Sequence, residues 1–374
     1  MGLPELTFAF ETAAESIVSR SKKGIVALIL REAGLEPGVY TVVHEADIPP
    51  ELGEDNRAYV KQALTGYLNR PARALLSVIS GETAPLAGAE QLTGLDYDYL
   101  AGPPDLTEEE GAALAAYIKA RRTGNFTGKA VLPNQAADHE GIINFAASGL
   151  QVGKTVYSAG QYCARIAGIL AGTPLNCSAT SAKLPEVSQI VGILQPPEML
   201  GESRAVIGGG GMTSGGGLVP AEGVLTAIHD GRQVKLGRAV NSKVTLKANE
   251  SAGLKKIKVV EAIDLIHYYS IATVEDTYLG QCANTYDNKC MLLAALKAFL
   301  AQLEAGDVLA EDSAGAEIDL EATRAWLLEQ GTDVAGMTDE DIRRANTGSH
   351  VFARLSGTIL DAMEDFHISL SVRQ

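Results

Sequence analysis

Cysteine is scarce in this chain, and its placement excludes the chemistry cysteine most often carries. Cys163, Cys177, Cys282 and Cys290 form no CxxC pair and no paired metal spacing, so neither a zinc site nor a redox pair is expected. Buried free thiols in a reducing compartment fit them better. Long apolar runs are also missing. The longest stretches, such as GIVALIL at 24–30, stop far short of the roughly 20 residues a spanning helix needs, so no membrane insertion is expected. The opening MGLPELTFAFETAAE has no basic segment ahead of an apolar core, which argues against a cleaved secretory signal. Synthesis and assembly in the cytoplasm follow as the expectation. Positive charge is in deficit, with 31 Lys and Arg facing 46 Asp and Glu for a net charge of -15. Nucleic acid is therefore not an expected partner, because binding its backbone needs clustered Lys and Arg. Much of the excess is local, with twelve acids against four bases between Lys297 and Ala345. The plain reading of such a region is a solvated face, and the sharper one is an electrostatic docking surface.

Catalytic signatures are absent as well. The glycine run IGGGGMTSGGG at 207–217 has no Lys-Ser or Lys-Thr after it, so it reads as a flexible surface loop rather than a phosphate cradle. Asp138, His139 and Glu140 form an acid-base cluster, but three adjacent residues cannot all point at one centre, and neither HExxH nor GxSxG accompanies them. They are expected in a loop leading into a helix or strand at 141–145, with Asp138 as a cap. His44, His229, His267, His350 and His367 are scattered singly. No catalytic, cofactor or metal residue is assigned. An α/β hydrolase-like enzyme is the alternative, and it would need a convergent set of acids, bases and nucleophiles.

What the chain does contain is ordered secondary-structure patterning over 374 residues, enough for two or three domains of ~100 to 200 residues each. Leu6, Phe8 and Phe10 alternate with smaller or polar residues near one end, and Ile368, Leu370 and Val372 do so near the other. Each set puts three apolar side chains on one face of a strand. A strand at an extreme end needs an edge to pair with, either a neighbour's or its own sheet's. Between these arms, short apolar runs at 24–30, 74–79 and 129–132 read as buried strands. They alternate with helical patterns at 56–68 and 107–122, the latter opening with Thr107 before three glutamates, an N-terminal cap signature. Such alternation predicts an α/β core with a largely parallel sheet. After about residue 246 helices dominate, at 254–271, 290–303, 318–330 (with Trp326) and 338–345. The 290–303 helix is apolar around most of its circumference, as a helix buried in a core or subunit interface would be. Lys255, Lys256 and Lys258 open the first of these helices against its dipole, either as a solvated end or as a docking site for an acidic partner.

Several segments together resemble the phage tail sheath family, in the short form found in contractile phages and phage-tail-like bacteriocins of Gram-positive bacteria. They are GIVALILREAG at 24–34, AVLPNQAADHEGIINF at 130–145, YCARIAGILAGTPLNCSAT at 162–180, LPEV at 184–187, GRAVNS at 237–242, KKIKVVEAIDLI at 255–266, YDNKCMLLAAL at 286–296 and NTGSHVFARLSGTILDAMEDF at 346–366. They follow the family's order over nearly the whole chain; the glycine run departs from the family's more compact passage there.

The resemblance implies an N-terminal extended arm at 1–19, a small α/β domain at 20–94, a subtilisin-like α/β sheath domain at 95–246 without protease chemistry, a C-terminal α+β domain at 247–365 and a second arm at 366–374. It implies a homo-oligomer of stacked hexameric rings around an inner tube, contracting without nucleotide or metal. Tail tube, baseplate and tail terminator proteins are the partners it implies. Leu6, Phe8, Phe10, Ile368, Leu370 and Val372 would be the intersubunit arms. Lys255, Lys256 and Lys258 are the candidate tube contact, as the densest basic patch in an acidic chain. A tail tube or capsid component would not carry these stretches in this order.

Overall fold

The computed structural model describes residues 24–191, 205–206 and 222–371. Leu6, Phe8, Phe10, Val372 and the glycine run at 207–217 lie outside the described residues. The rest falls into two compact units, residues 24–261 with 362–371, and residues 262–361.

The first unit is organised around β1 (Ile25–Arg31), whose IVALILR sequence is apolar on both faces. Such a strand must be covered on both sides. The further strands are β2 (Gly38–Val42), β3 (Arg73–Ile79), β4 (Tyr99–Ala101), β5 (Lys129–Pro133), β6 (Ile142–Ala146), β7 (Leu150–Val152), β8 (Thr155–Tyr157), β9 (Gln189–Ile190), β10 (Ala205–Val206), β11 (Leu225–His229) and β12 (Val234–Leu236). One sheet runs β10-β11-β6-β5-β4-β1-β3-β2, with β12 also on β11. Its inner strands from β3 to β11 are parallel, with Val26 beside both Ala74 and Tyr99. β2, β10 and β12 pair antiparallel at its margins. Residues 20–94 and 95–246, set apart in the sequence reading, thus contribute strands to one continuous sheet. A smaller sheet runs β8-β7-β9.

Helices α1 (Glu54–Thr65), α2 (Pro85–Gln91), α3 (Glu108–Arg121) and α4 (Ala159–Ala171) cover the large sheet. The alternation of β1 assigns them to faces. Val26, Leu28 and Leu30 share a core with Tyr59, Val60 and Ala63 of α1 and with Ile166 and Ile169 of α4. Ile25, Ala27 and Ile29 share the other core with Ala89 of α2 and with Leu114 and Ile118 of α3. Each fully buried side chain of this kind contributes about 1.5–3 kcal/mol. Thr107 caps α3 as expected, accepting from the Glu110 amide while the Glu110 carboxylate accepts from the Thr107 amide.

In the second unit, α5 (Ile257–Thr273), which begins in the first, passes into a π-helical turn at Val274–Tyr278. After it come α6 (Tyr286–Ala305), β13 (Gly315–Ile318), α7 (Leu320–Glu329), α8 (Asp339–Arg344) and β14 (Ala353–Ser356). Tyr269 of α5 stacks on Phe299 of α6 at 3.8 Å between ring centres. The stripe Leu292, Leu296, Phe299, Leu303 of α6 is buried, while Met291, Ala294 and Ala298 are exposed. β13 and β14 form an antiparallel pair, Ile318 opposite Ala353.

The α1–α4 packing gives a direct test. Gly168 of α4 lies against the backbone of Ala63, so a Cβ there would collide with the Ala63 carbonyl. Gly168→Leu is expected to destabilise the α/β unit by ~1–3 kcal/mol or more, the usual cost of overpacking, read as a lower denaturation midpoint. An unchanged midpoint would contradict this packing.

Candidate functional site

The acid-base cluster at 138–140 sits in the loop between β5 and β6, and the structure directs its side chains to holding that loop. Asp138 adopts a left-handed backbone with φ 48°, and its carboxylate accepts the amides of Val244 at 2.7 Å and Thr245 at 2.9 Å. Those donors, Thr245 foremost, bring its pKa down to about 2. His139 Nδ1 accepts from the Gly141 amide at 2.9 Å, and Nε2 lies 3.6 Å from Glu140. Burial, chiefly, lowers the imidazole pKa. Burial works against ionisation of Glu140, but its own amide and the neighbouring His139 and Lys243 outweigh it and leave the carboxyl below its usual range. Lys243 bridges Glu140 at 3.3 Å and Glu250 at 3.0 Å. The nearby serine, Ser242, bonds the backbone of His139 and not its imidazole. The cluster therefore ties residues 242–250 to the sheet, with no nucleophile aligned on its base.

A cleft of about 610 Å³ opens at the carboxyl ends of β1 and β4, where the crossovers diverge and open α/β sheets usually bind ligands. Arg31, Glu32 and Asp105 of its lining are matched by neighbouring groups. Arg31 pairs with Asp105 at 2.8 Å and with Glu110. Glu32 accepts from the Gly53 amide at 2.7 Å and from Asn56 at 3.2 Å, and the Gly53 bond in particular lowers its pKa.

The lysines at 255–258 are not the solvated patch their density along the chain suggested. Lys255 pairs with Glu222, Lys256 Nζ lies 3.4 Å from Glu364, and Lys258 is only 4% exposed. Helical geometry turns Lys258 inward beside Ile257 and Val260, while carboxylates distant in sequence meet the other two.

The most elaborate polar site involves a residue that sequence reasoning passed over. Glu364, on the segment that returns to the α/β unit, is nearly buried and receives the hydroxyls of Ser178 at 3.0 Å and Thr180 at 2.6 Å. Arg238 lies 3.7 Å from the same carboxylate and 2.6 Å from Asp365. Four of the quoted stretches, ending at Thr180, opening at Gly237 and Lys255, and closing at Phe366, converge here. Two residues beyond Glu364 the support ends. Phe366, Ile368 and Leu370 are 67%, 89% and 85% exposed, in a segment with no strand pairing.

No family model matches the chain. It is 32% identical over 378 residues to the tail sheath protein of Clostridium phage phiCD119, covering 99% of both chains. The chain belongs to the tail sheath protein family. Sheath proteins are structural, and this one is accordingly a virion-type structural protein and not an enzyme. The fold is shared more widely. A sheath tail protein from Listeria innocua superposes with a TM-score of 0.66 at 13% identity, over 95% of this chain and 99% of that one. One from Desulfitobacterium hafniense gives 0.62 at 14% identity, over 80% and 90%. A chain of the anti-feeding prophage baseplate gives 0.64 at 11% identity, over 95% and 94%.

The Asp138 staple makes a prediction about acid. Its folded pKa, about 2, is depressed from 3.8, so its contribution is complete above 3.8 and is lost as pH falls toward 2. Urea midpoints of Asp138→Asn should fall below wild type at pH 6 and converge on it at pH 2. Parallel curves for the two proteins across that range would refute the assignment.

Proposed function

We propose that the chain is the structural subunit of a contractile tail sheath, polymerising as stacked hexameric rings around an inner tube within a virion or phage-tail-like particle. Contraction drives the tube through a target envelope. The observation that supports this beyond family membership is the exposed, strand-patterned C-terminal segment. Two apolar side chains on one face, Ile368 and Leu370, stand in solvent, and a third, Val372, continues their pattern. Strand addition to a neighbour's sheet edge would bury them, and Leu6, Phe8 and Phe10 carry the same pattern for a second arm. The α/β unit fills the role of the subtilisin-like domain, and the unit at 262–361, with its two-stranded β13–β14 sheet, that of the α+β domain that accepts strands. An extended sheath held this way is kinetically trapped and stores its energy in contacts not yet made. Tube, baseplate and terminator proteins are the partners, and assembly takes place in the host cytoplasm.

Two experiments test this reading. Three apolar side chains at ~1.5–3 kcal/mol each, plus backbone hydrogen bonds at ~0.5–1.5 kcal/mol net, are enough for an arm to hold a contact. Deleting 366–374 should leave folded, unpolymerised subunits, and normal sheaths from this truncation would sink the proposal. The tube contact assigned to Lys255, Lys256 and Lys258 falls mainly to Lys255, whose partner Glu222 is exposed. Lys255→Glu should lower the yield of sheath assembled on tubes and leave sheath-to-sheath polymerisation unchanged. Equal yields on tubes at low salt, where charged contacts count most, would remove Lys255 from that role.

A further inference from the structure

We infer that Glu364 is the positioning residue of the C-terminal arm: its carboxylate seats in a built acceptor site on the α/β unit and sets the point from which the following residues leave the subunit. This rests on the reading that those residues reach a neighbouring copy, and it adds where the pull of that neighbour is received.

The acceptor site is held by its own bonds. Thr180 Oγ1, which donates to Glu364, accepts from the Ala239 amide at 2.9 Å. Val240 pairs with Lys256 as an isolated β-bridge, and the Asn241 side chain donates to the Leu254 carbonyl at 2.8 Å. The groups facing Glu364 therefore come from the loop after α4, the segment after β12 and the turn before α5, fixed to one another independently of the strap formed by residues 362–368. Charge-assisted hydrogen bonds are the strong kind, and release of Glu364 would leave the Ser178 and Thr180 hydroxyls without this acceptor.

The position of the anchor gives it a mechanical consequence. Exposure rises from a 6% exposed Glu364 side chain to an 89% exposed Ile368, so tension on the arm meets Glu364 first among the well-buried groups. Held there, the pull passes into the α/β unit. Without the anchor it would act on the preceding residues of the other unit, where the Thr358 carbonyl accepts from Ala310 at 2.8 Å and the Leu360 amide donates to Val308 at 2.9 Å.

Hydrogen exchange on soluble full-length subunits tests the anchor. In Glu364→Ala, the amides of Ala310 and Leu360, bonded to the Thr358 and Val308 carbonyls where the segment leaves the other unit, should exchange about tenfold faster or more, while β1, β4 and β5 keep their wild-type rates. Glu364→Gln, which keeps an acceptor for both hydroxyls, should fall between. The double variant Ser178→Ala/Thr180→Ala should reproduce the loosening from the other side of the contact. Unchanged exchange of the Ala310 and Leu360 amides, or an equal rise throughout the α/β unit, would overturn the anchor. In assembled particles, Glu364→Ala sheaths should fragment on contraction several-fold more often than wild type, and intact contraction would overturn the force-transmitting role. If the 366–374 deletion polymerises normally while Glu364→Ala still loosens the strap, the arm reading fails and the anchor stands.

Discussion

A strand that is apolar on both faces cannot stay in water on either side, and β1 imposes that condition on the whole α/β unit. Val26, Leu28 and Leu30 require one helical layer, and Ile25, Ala27 and Ile29 require another. Covering both faces forces the crossovers to run on both sides of the sheet, which places β3 and β4 on opposite flanks of β1. From that division come the cleft at the ends of β1 and β4 and the close approach of α4 to α1. Among the described residues, the sheet's outer strands are antiparallel additions on β3 and β11.

Among the described residues, the polar groups gathered at the strand ends are engaged in structural bonding. At the switch point, Arg31 is matched by Asp105 and Glu110, and Glu32 by backbone amides, so the charges close on each other. The loop at 138–140 has an acid, a histidine and a neighbouring serine, yet every one is bonded to main chain or to Lys243. An α/β sheet offers such strand ends whatever the protein does, in keeping with the rule that function belongs to sites and not to folds.

Much of this was legible in the sequence, for identifiable reasons. β1 is an uninterrupted apolar run, and α3 opens on Thr107 with Glu110 three residues on, so purely local rules reach both. The alternation of strands and helices carried the parallel sheet. What local rules could not reach were partners far apart in sequence. Ser178 and Glu364 are separated by 186 positions, and no spacing in the chain announces that they meet, although both lie in stretches that match the sheath family. The lysine cluster shows the converse error. Density along the chain suggested a surface patch, but one helical turn buries Lys258, and Glu222 and Glu364 reach the others. The α6 helix, apolar in composition, buries one stripe and exposes a face that includes Met291, because alanine counts as apolar without demanding burial.

We propose that the exposed, strand-patterned segment that follows Glu364 is completed by another copy of the chain. Electron cryo-microscopy of the purified full-length protein, carried to a resolution that traces the backbone, tests it most directly. Hollow, striated cylinders in which residues 366–372 run hydrogen-bonded along the sheet edge of a neighbouring subunit are the expected result. Discrete particles of uniform small size, or cylinders in which those residues fold back onto their own subunit's sheet, would contradict it.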